Sequence, residues 1–91
     1  MIGRTKENRA RLAAEIARLG LVQWPAHGNF ILIQLPDGRT AAGTNAALRE
    51  HGVAVRPFAA LPHAGECIRV TVGPWTMMER FVAAMKVVLG R

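Results

Sequence analysis

The stretch CIRVTVGPWTMMERFVAAM, residues 67–85, joins an apolar strand to an amphipathic helix. Side chains alternate along residues 67–72, so one face of this strand is apolar and the other carries Arg69 beside Cys67 and Thr71. An unpaired buried guanidinium costs several kcal/mol, roughly, so Arg69 needs an anion, a water-filled cleft or an uncovered sheet face. The sequence therefore marks Arg69 as the residue to explain.

The second half of the stretch predicts a closing helix. Thr76 with Glu79 three residues later has the pattern of a capping box. Apolar residues then recur at helical spacing and predict the buried stripe: Met78, Phe81, Val82, Met85 and Leu89.

Upstream, a first helix is predicted from a cap at Thr5 to Gly20, with Leu12, Ile16 and Leu19 as its apolar stripe. Five further segments follow from apolar runs and from turn residues. They are a strand over 21–24 that Pro25 stops, a strand over 30–35, a helix over 40–52, a strand over 53–57 that Pro57 terminates, and an irregular connection over 58–66.

The predicted order is α-β-β-α-β-β-α, without a repeat, a linker or a low-complexity segment. This order indicates an α+β two-layer sandwich, with a four-stranded mixed sheet and helices on one face. Ninety-one residues form a single domain, 1–91, because the chain is too short for two cores.

Composition excludes several classes of function. Half of the residues are apolar, a fifth are charged and Cys67 is the only cysteine, which indicates a globular chain in a reducing compartment, the cytoplasm. The N-terminus has no apolar core of signal-peptide length and Lys86 breaks the longest apolar run near the end, so no membrane span is expected. The three histidines lack metal-site spacing, no acid pair is placed for acid–base work, and Cys67 is expected to be an inert core residue.

The net charge of +6 comes mainly from arginine, with ten arginines and two lysines. Arg4, Arg11 and Arg18 recur every seven residues, which would place a basic stripe on the first helix, as in a free-standing module that binds an anionic partner. Glu7 and Glu15 have the spacing of intrahelical pairs with Arg11 and Arg18. No aromatic residue interleaves with the stripe in the sequence, so nucleic-acid binding is not expected.

Arg56 follows an apolar strand segment just as Arg69 interrupts one. Two arginines on sequential strands could converge on one anion, or both could face solvent on an uncovered sheet, and their spacing leaves both possibilities open.

From about Thr5 to the end, the chain resembles the C-terminal small domain of fold-type-I pyridoxal-phosphate aminotransferases, most closely the histidinol-phosphate aminotransferase branch. The likeness rests on RARLAAEIARLG, HGNFILIQLP, EHGVAVRPF and above all CIRVTVGPWTMMERFVAAM. It implies that Arg69 binds the carboxylate of an amino-acid substrate or the phosphate of a phosphorylated one, that Arg56 is a second anion-binding residue, and that Asn29 is a recurrent turn residue. The PWTMM segment departs from the acidic helix start of these relatives.

The resemblance also implies a large domain that supplies the cofactor lysine, and a homodimer in the complete enzyme. The serine-rich lysine motif of that large domain is absent from this sequence, so pyridoxal phosphate is expected in the complete enzyme and not on this chain alone, which should be inactive. A related phosphoamino-acid decarboxylase would use the same lobe. The sequence does not distinguish an excised piece, a degradation product and a shortened reading frame.

Overall fold

The structure is a computed structural model, and it describes residues 2–26, 29–36, 38–62 and 64–91. Within these residues three helices and four strands follow each other in the predicted α-β-β-α-β-β-α order, which confirms the α+β class. The elements are α1 (Ile2–Arg18), β1 (Gln23–Ala26), β2 (Phe30–Gln34), α2 (Ala41–Glu50), β3 (Arg56–Leu61), β4 (Gly65–Thr71) and α3 (Trp75–Leu89).

The four strands form one sheet in the order β1-β2-β4-β3. All three described pairings are antiparallel, so the expectation of a mixed sheet was wrong. The crossover through α2 does make β3 run parallel to β2, but β4 lies between them and pairs with both. The described strands therefore form no parallel pair, although β2 and β3 run in the same direction, as do β1 and β4.

Both edge strands contain a proline that was expected to stop them. Strand β1 runs through Pro25 to Ala26, and β3 begins at Arg56, includes Pro57 and continues to Leu61. Proline is tolerated at the edge of a sheet because a residue there can lack a backbone N–H without breaking a ladder. The predicted irregular connection after Pro57 is therefore largely strand.

One face of the sheet packs against the helices and forms the core. Strand β2 alternates between buried and half-buried residues, with Ile31 and Ile33 on the buried side, and β4 places Ile68 and Val70 opposite them. The helices contribute the rest of the buried cluster: Leu12, Ile16, Leu19, Ala41, Leu48, Met78, Phe81, Val82, Ala84, Met85 and Leu89. None of the three described helices packs on the other sheet face, as the two-layer prediction requires.

Two predicted helix caps were wrong. Helix α1 begins at Ile2, so Thr5 lies inside it and does not precede it. Helix α3 begins at Trp75 with Pro74 as its N-cap and has no side-chain cap hydrogen bond, so Thr76 and Glu79 do not form a capping box. The predicted buried stripe of α3 is confirmed, and Gly90 ends that helix in the left-handed conformation with φ 69°.

Candidate anion-binding site

The uncovered face of the sheet brings the two candidate arginines together. Arg56 of β3 and Arg69 of β4 are direct cross-strand partners, and Arg69 also lies opposite Leu32 of β2. Directly opposed residues of an antiparallel pair project from the same face with their Cβ atoms about 4.5 to 5.5 Å apart. The structure therefore places both side chains on the face opposite the helices.

Neither arginine is neutralised by a protein carboxylate. The described ion pair joins Arg18 to Glu15, at 2.7 Å, and involves neither Arg56 nor Arg69. Like charges directly opposed across strands are destabilising, and an anion between them would relieve that repulsion. Arg69 is half-buried and Arg56 is exposed, so an anion can reach both of them from solvent.

Two aromatic rings, those of Phe30 and Phe58, lie beside the arginine pair. The guanidinium carbon of Arg69 lies 4.2 Å from the ring centroid of Phe30 and 5.9 Å from that of Phe58. The guanidinium carbon of Arg56 lies 5.7 Å from the ring of Phe58. These distances fall within the range of cation–π contacts, which add attraction without accepting a conventional hydrogen bond. Neither phenylalanine was predicted to lie near the arginines, and only the alternation of side chains along each strand offered a signal for them.

The one acidic side chain of β4, that of Glu66, binds backbone groups. The carboxylate of Glu66 accepts a hydrogen bond from the backbone N–H of Ala41 at 2.8 Å and another from that of Ala60 at 2.7 Å. Ala41 is the first residue of α2, and Ala60 has a positive φ of 49° within the irregular part of the β3–β4 pairing. Glu66 therefore links the edge strand to the start of α2, which leaves the arginine pair without an acidic partner.

Cys67 is buried, as expected of an inert core residue. Burial raises the pKa of its thiol, and the charge of the neighbouring Glu66 carboxylate raises it further. A thiol of this kind is a poor nucleophile near neutral pH because little thiolate is present.

Asn29 precedes β2, and its carbonyl accepts a hydrogen bond from the backbone N–H of Val72 at 2.6 Å. The backbone of Asn29 thus joins the start of β2 to the end of β4. His27 and His63 lie outside the described residues.

The basic stripe of α1 is partly engaged with other residues. Arg18 pairs with Glu15 as predicted, but Arg11 forms no ion pair with Glu7. Arg11 instead lies over the indole ring of Trp75, with its guanidinium carbon 3.9 Å from the ring centroid. The side chain of Arg4 lies outside the described part of the chain.

Two concavities lie away from the arginine pair. An open groove of about 630 Å³ is lined by residues around Arg39 and Glu66, and a pocket of about 240 Å³ lies between α3 and the segment before β3. Neither contains Arg56 or Arg69. Since Arg56 is exposed and Arg69 is half-buried, the arginine pair lies on a surface open to solvent.

The chain is therefore a two-layer α+β domain whose uncovered sheet face carries two adjacent arginines. Residues 1–85 match the family described as aminotransferase class I and II. Because that match covers nearly the whole chain, the chain belongs to the class I and II aminotransferase family.

Individual relatives agree with this assignment. The chain is 34% identical over 87 residues to the histidinol-phosphate aminotransferase of Sinorhizobium fredii, covering 93% of the chain and 23% of that enzyme. It is 43% identical over 88 residues to the histidinol-phosphate aminotransferase of Symbiobacterium thermophilum, covering 94% of the chain and 23% of that enzyme. Among solved structures it is similar to a decarboxylase from Sulfurospirillum multivorans, with 27% identity and a TM-score of 0.82 over 91% of the chain and 24% of that protein. The chain thus spans about a quarter of the length of these relatives.

Proposed function

We propose that this chain is the substrate-binding small lobe of a pyridoxal-phosphate-dependent aminotransferase of the histidinol-phosphate type. Family membership and the two histidinol-phosphate aminotransferase relatives support the reaction class. The observation that carries the proposal is the direct cross-strand pairing of Arg56 with Arg69 on the uncovered sheet face, without a carboxylate partner.

In this proposal Arg69 binds an anionic group of the substrate, a carboxylate or a phosphate. Its planar guanidinium offers two parallel N–H donors that match the two oxygens of a carboxylate, a geometry that lysine lacks. Arg56, one strand away, binds a second anionic group, such as the phosphate of a phosphorylated amino acid. A substrate with two anionic groups would satisfy both cations and remove their mutual repulsion.

The residues of this chain do not fit the cofactor itself. Pyridoxal phosphate requires a lysine amine for its covalent attachment, and none of the four strands contains a lysine. Lys86 is exposed on α3, which packs on the face opposite the arginine pair, and the side chain of Lys6 lies outside the described residues. The cofactor lysine therefore comes, in this proposal, from a large domain of a cytoplasmic homodimeric enzyme, and the lobe alone is inactive.

An anion titration tests the proposal. Arginine Nε–H signals of the 91-residue chain would be followed by nuclear magnetic resonance while inorganic phosphate or glutamate is added. We expect Arg69 and Arg56 to shift together with phosphate, and Arg69→Lys to abolish saturable binding. An exposed arginine away from the sheet, Arg80, provides the matched control as Arg80→Lys. Equal, weak and unsaturable shifts at all arginines would refute the proposal.

A second candidate function is the same lobe in a phosphoamino-acid decarboxylase. The similarity to the Sulfurospirillum multivorans decarboxylase favours this alternative. Both enzymes would use the arginine pair, so substrate binding does not separate them. The complete enzyme would: release of carbon dioxide from a phosphorylated amino acid identifies the decarboxylase, and transfer of the amino group to 2-oxoglutarate identifies the aminotransferase.

A free-standing basic binding module is the third reading, and the engagement of Arg11 with Trp75 and of Arg18 with Glu15 weighs against it. Affinity for a nucleic acid that falls steeply with salt would support the module. A lobe of an enzyme should show no such affinity.

A further inference from the structure

Phe30 has a specific relationship to Arg69. Its ring centroid lies 4.2 Å from the guanidinium carbon, closer than the ring of Phe58 at 5.9 Å. Both Phe30 and Arg69 are half-buried, so the contact lies partly shielded from water on the uncovered face. Contacts of this kind are stronger when they are partly desolvated.

The strand register explains this contact. Arg69 lies directly opposite Leu32, and Phe30 lies opposite Thr71, which makes Phe30 the diagonal neighbour of Arg69 across the β2–β4 pair. Diagonal neighbours are within reach of each other when the side chains are aromatic or long. The guanidinium of Arg69 therefore leans along the sheet toward the Phe30 end of the strand pair.

An aromatic ring, unlike an acidic side chain, can contact a guanidinium without neutralising its charge. A carboxylate would orient the guanidinium, but it would also occupy N–H donors and cancel the charge that an anionic ligand requires. No described residue forms an ion pair or a hydrogen bond with Arg69, so these residues leave its five N–H donors available while the ring of Phe30 lies against the guanidinium. Restriction before binding lowers the ordering cost of binding.

We propose that Phe30 is the positioning residue of Arg69, holding its guanidinium in the orientation that binds an anion. The inference that this orientation serves a substrate rests on the proposed function, whereas the restriction of Arg69 by Phe30 does not. Phe58 contributes less to Arg69 because its ring is farther away.

The test compares Phe30→Leu, which removes the ring, with Phe30→Tyr, which keeps it. Trp24→Leu is the matched control, because Trp24 lies on the same face opposite Leu32 and its loss removes an aromatic ring that does not contact Arg69. The first measurement is the ¹⁵N order parameter of the Arg69 Nε–H group in the free chain. The second is the dissociation constant of inorganic phosphate.

We expect Phe30→Leu to lower the order parameter of the Arg69 Nε–H group and to weaken phosphate binding roughly twofold to tenfold. Phe30→Tyr should restore both values, and Trp24→Leu should change neither. Should Phe30→Leu fail to fold, as judged from its amide spectrum, Phe30→Met removes the ring with an unbranched apolar side chain instead.

An unchanged order parameter in the ring-deleted variant overturns the inference, whatever happens to phosphate binding. If Phe30→Leu lowers the order parameter but the wild-type chain does not bind phosphate, the positioning of Arg69 by Phe30 is upheld. The proposed function is then contradicted. The two proposals can thus fail separately.

Discussion

Asn8 and Gly73 are 65 residues apart in sequence, and the side-chain amide of Asn8 donates a hydrogen bond to the carbonyl of Gly73 at 3.0 Å. Gly73 lies in the connection between β4 and α3. Helix α1 thereby holds the backbone that directly follows the strand of Arg69 and precedes α3, whose N-terminus has no side-chain cap. The contact of Arg11 with Trp75 reinforces the same junction.

Replacing Asn8 with alanine should lower the free energy of unfolding by about 1 kcal/mol, because the Gly73 carbonyl loses its partner in a partly buried site. Urea denaturation measures this change. The matched control is Glu7→Ala, one residue earlier on α1 and exposed, which should stay within about 0.5 kcal/mol of wild type. Equal effects of the two substitutions would contradict a specific role for Asn8.

Gly43→Ala in α2 should not give the gain that helix propensity predicts. Alanine is about 1 kcal/mol better than glycine inside a helix, but a Cβ at residue 43 would lie 2.8 Å from the Thr40 Oγ1 atom. That hydroxyl accepts a hydrogen bond from the Gly43 N–H and caps the helix, so the added methyl displaces the cap.

A double-mutant cycle measures this conflict. We expect Gly43→Ala to be neutral or destabilising in the wild type, and stabilising by about 1 kcal/mol in the Thr40→Ala background, where the clash and the cap are both absent. A gain of the same size in both backgrounds would show that Thr40 and residue 43 are not coupled.

Glu66→Gln should destabilise the chain by about 1 to 3 kcal/mol, because the carboxylate accepts two backbone N–H groups and the amide keeps only one acceptor oxygen. Thermal or urea unfolding measures the loss. Glu79→Gln, on the exposed side of α3, is the matched control and should have almost no effect. If both substitutions are equally silent, Glu66 does not hold α2 to the edge strand.

The raised pKa of Cys67 predicts a specific pH dependence of stability. Burial disfavours the thiolate in the folded chain, so the contribution of this group is complete below the thiol pKa of the unfolded chain and is lost as pH rises through the folded pKa. The difference in unfolding free energy between wild type and Cys67→Ala should therefore shrink above about pH 8.5. Urea denaturation between pH 7 and 10 measures it, and a difference that stays constant or grows contradicts the prediction.

Under the proposed function, Arg69→Lys in the complete enzyme should lower kcat/KM by about tenfold to a hundredfold, because lysine keeps the charge but loses the paired N–H donors. Cofactor absorbance should be unchanged. Arg56→Lys should impair a phosphorylated substrate more than glutamate, which separates the two arginines. A kinetically silent Arg69→Lys would make Arg69 a solvated residue without a role in substrate binding.

Much of the fold could be predicted from local patterns. The apolar spacing of α1 and α3 and the alternation along β4 identify their buried faces, because a helix and a strand each repeat with a known period. The same alternation correctly placed Arg69 on the polar face of its strand. These predictions succeeded because burial of one face depends on residues close together in the chain.

Predictions that depended on contacts with another helix or strand were wrong. Pro25 and Pro57 were expected to end their strands, and only the sheet order shows that both lie in edge strands where a proline is tolerated. The expected Thr76–Glu79 capping box does not form, and Asn8 and Arg11, distant in sequence, contact the start of α3 instead. Single-sequence patterns do not contain these contacts.

The sequence by itself determined the element order, the buried faces and the presence of two arginines at strand positions. Only the tertiary structure decided that β4 pairs with both β2 and β3, which places Arg56 opposite Arg69 and Phe30 diagonal to it. The physical reason is that a one-residue change of register moves every side chain to the other face, and register between distant strands is set by long-range pairing and core packing. Local spacing can therefore identify Arg69 as a candidate site residue, but only the pairing of the strands determines which residues lie next to it.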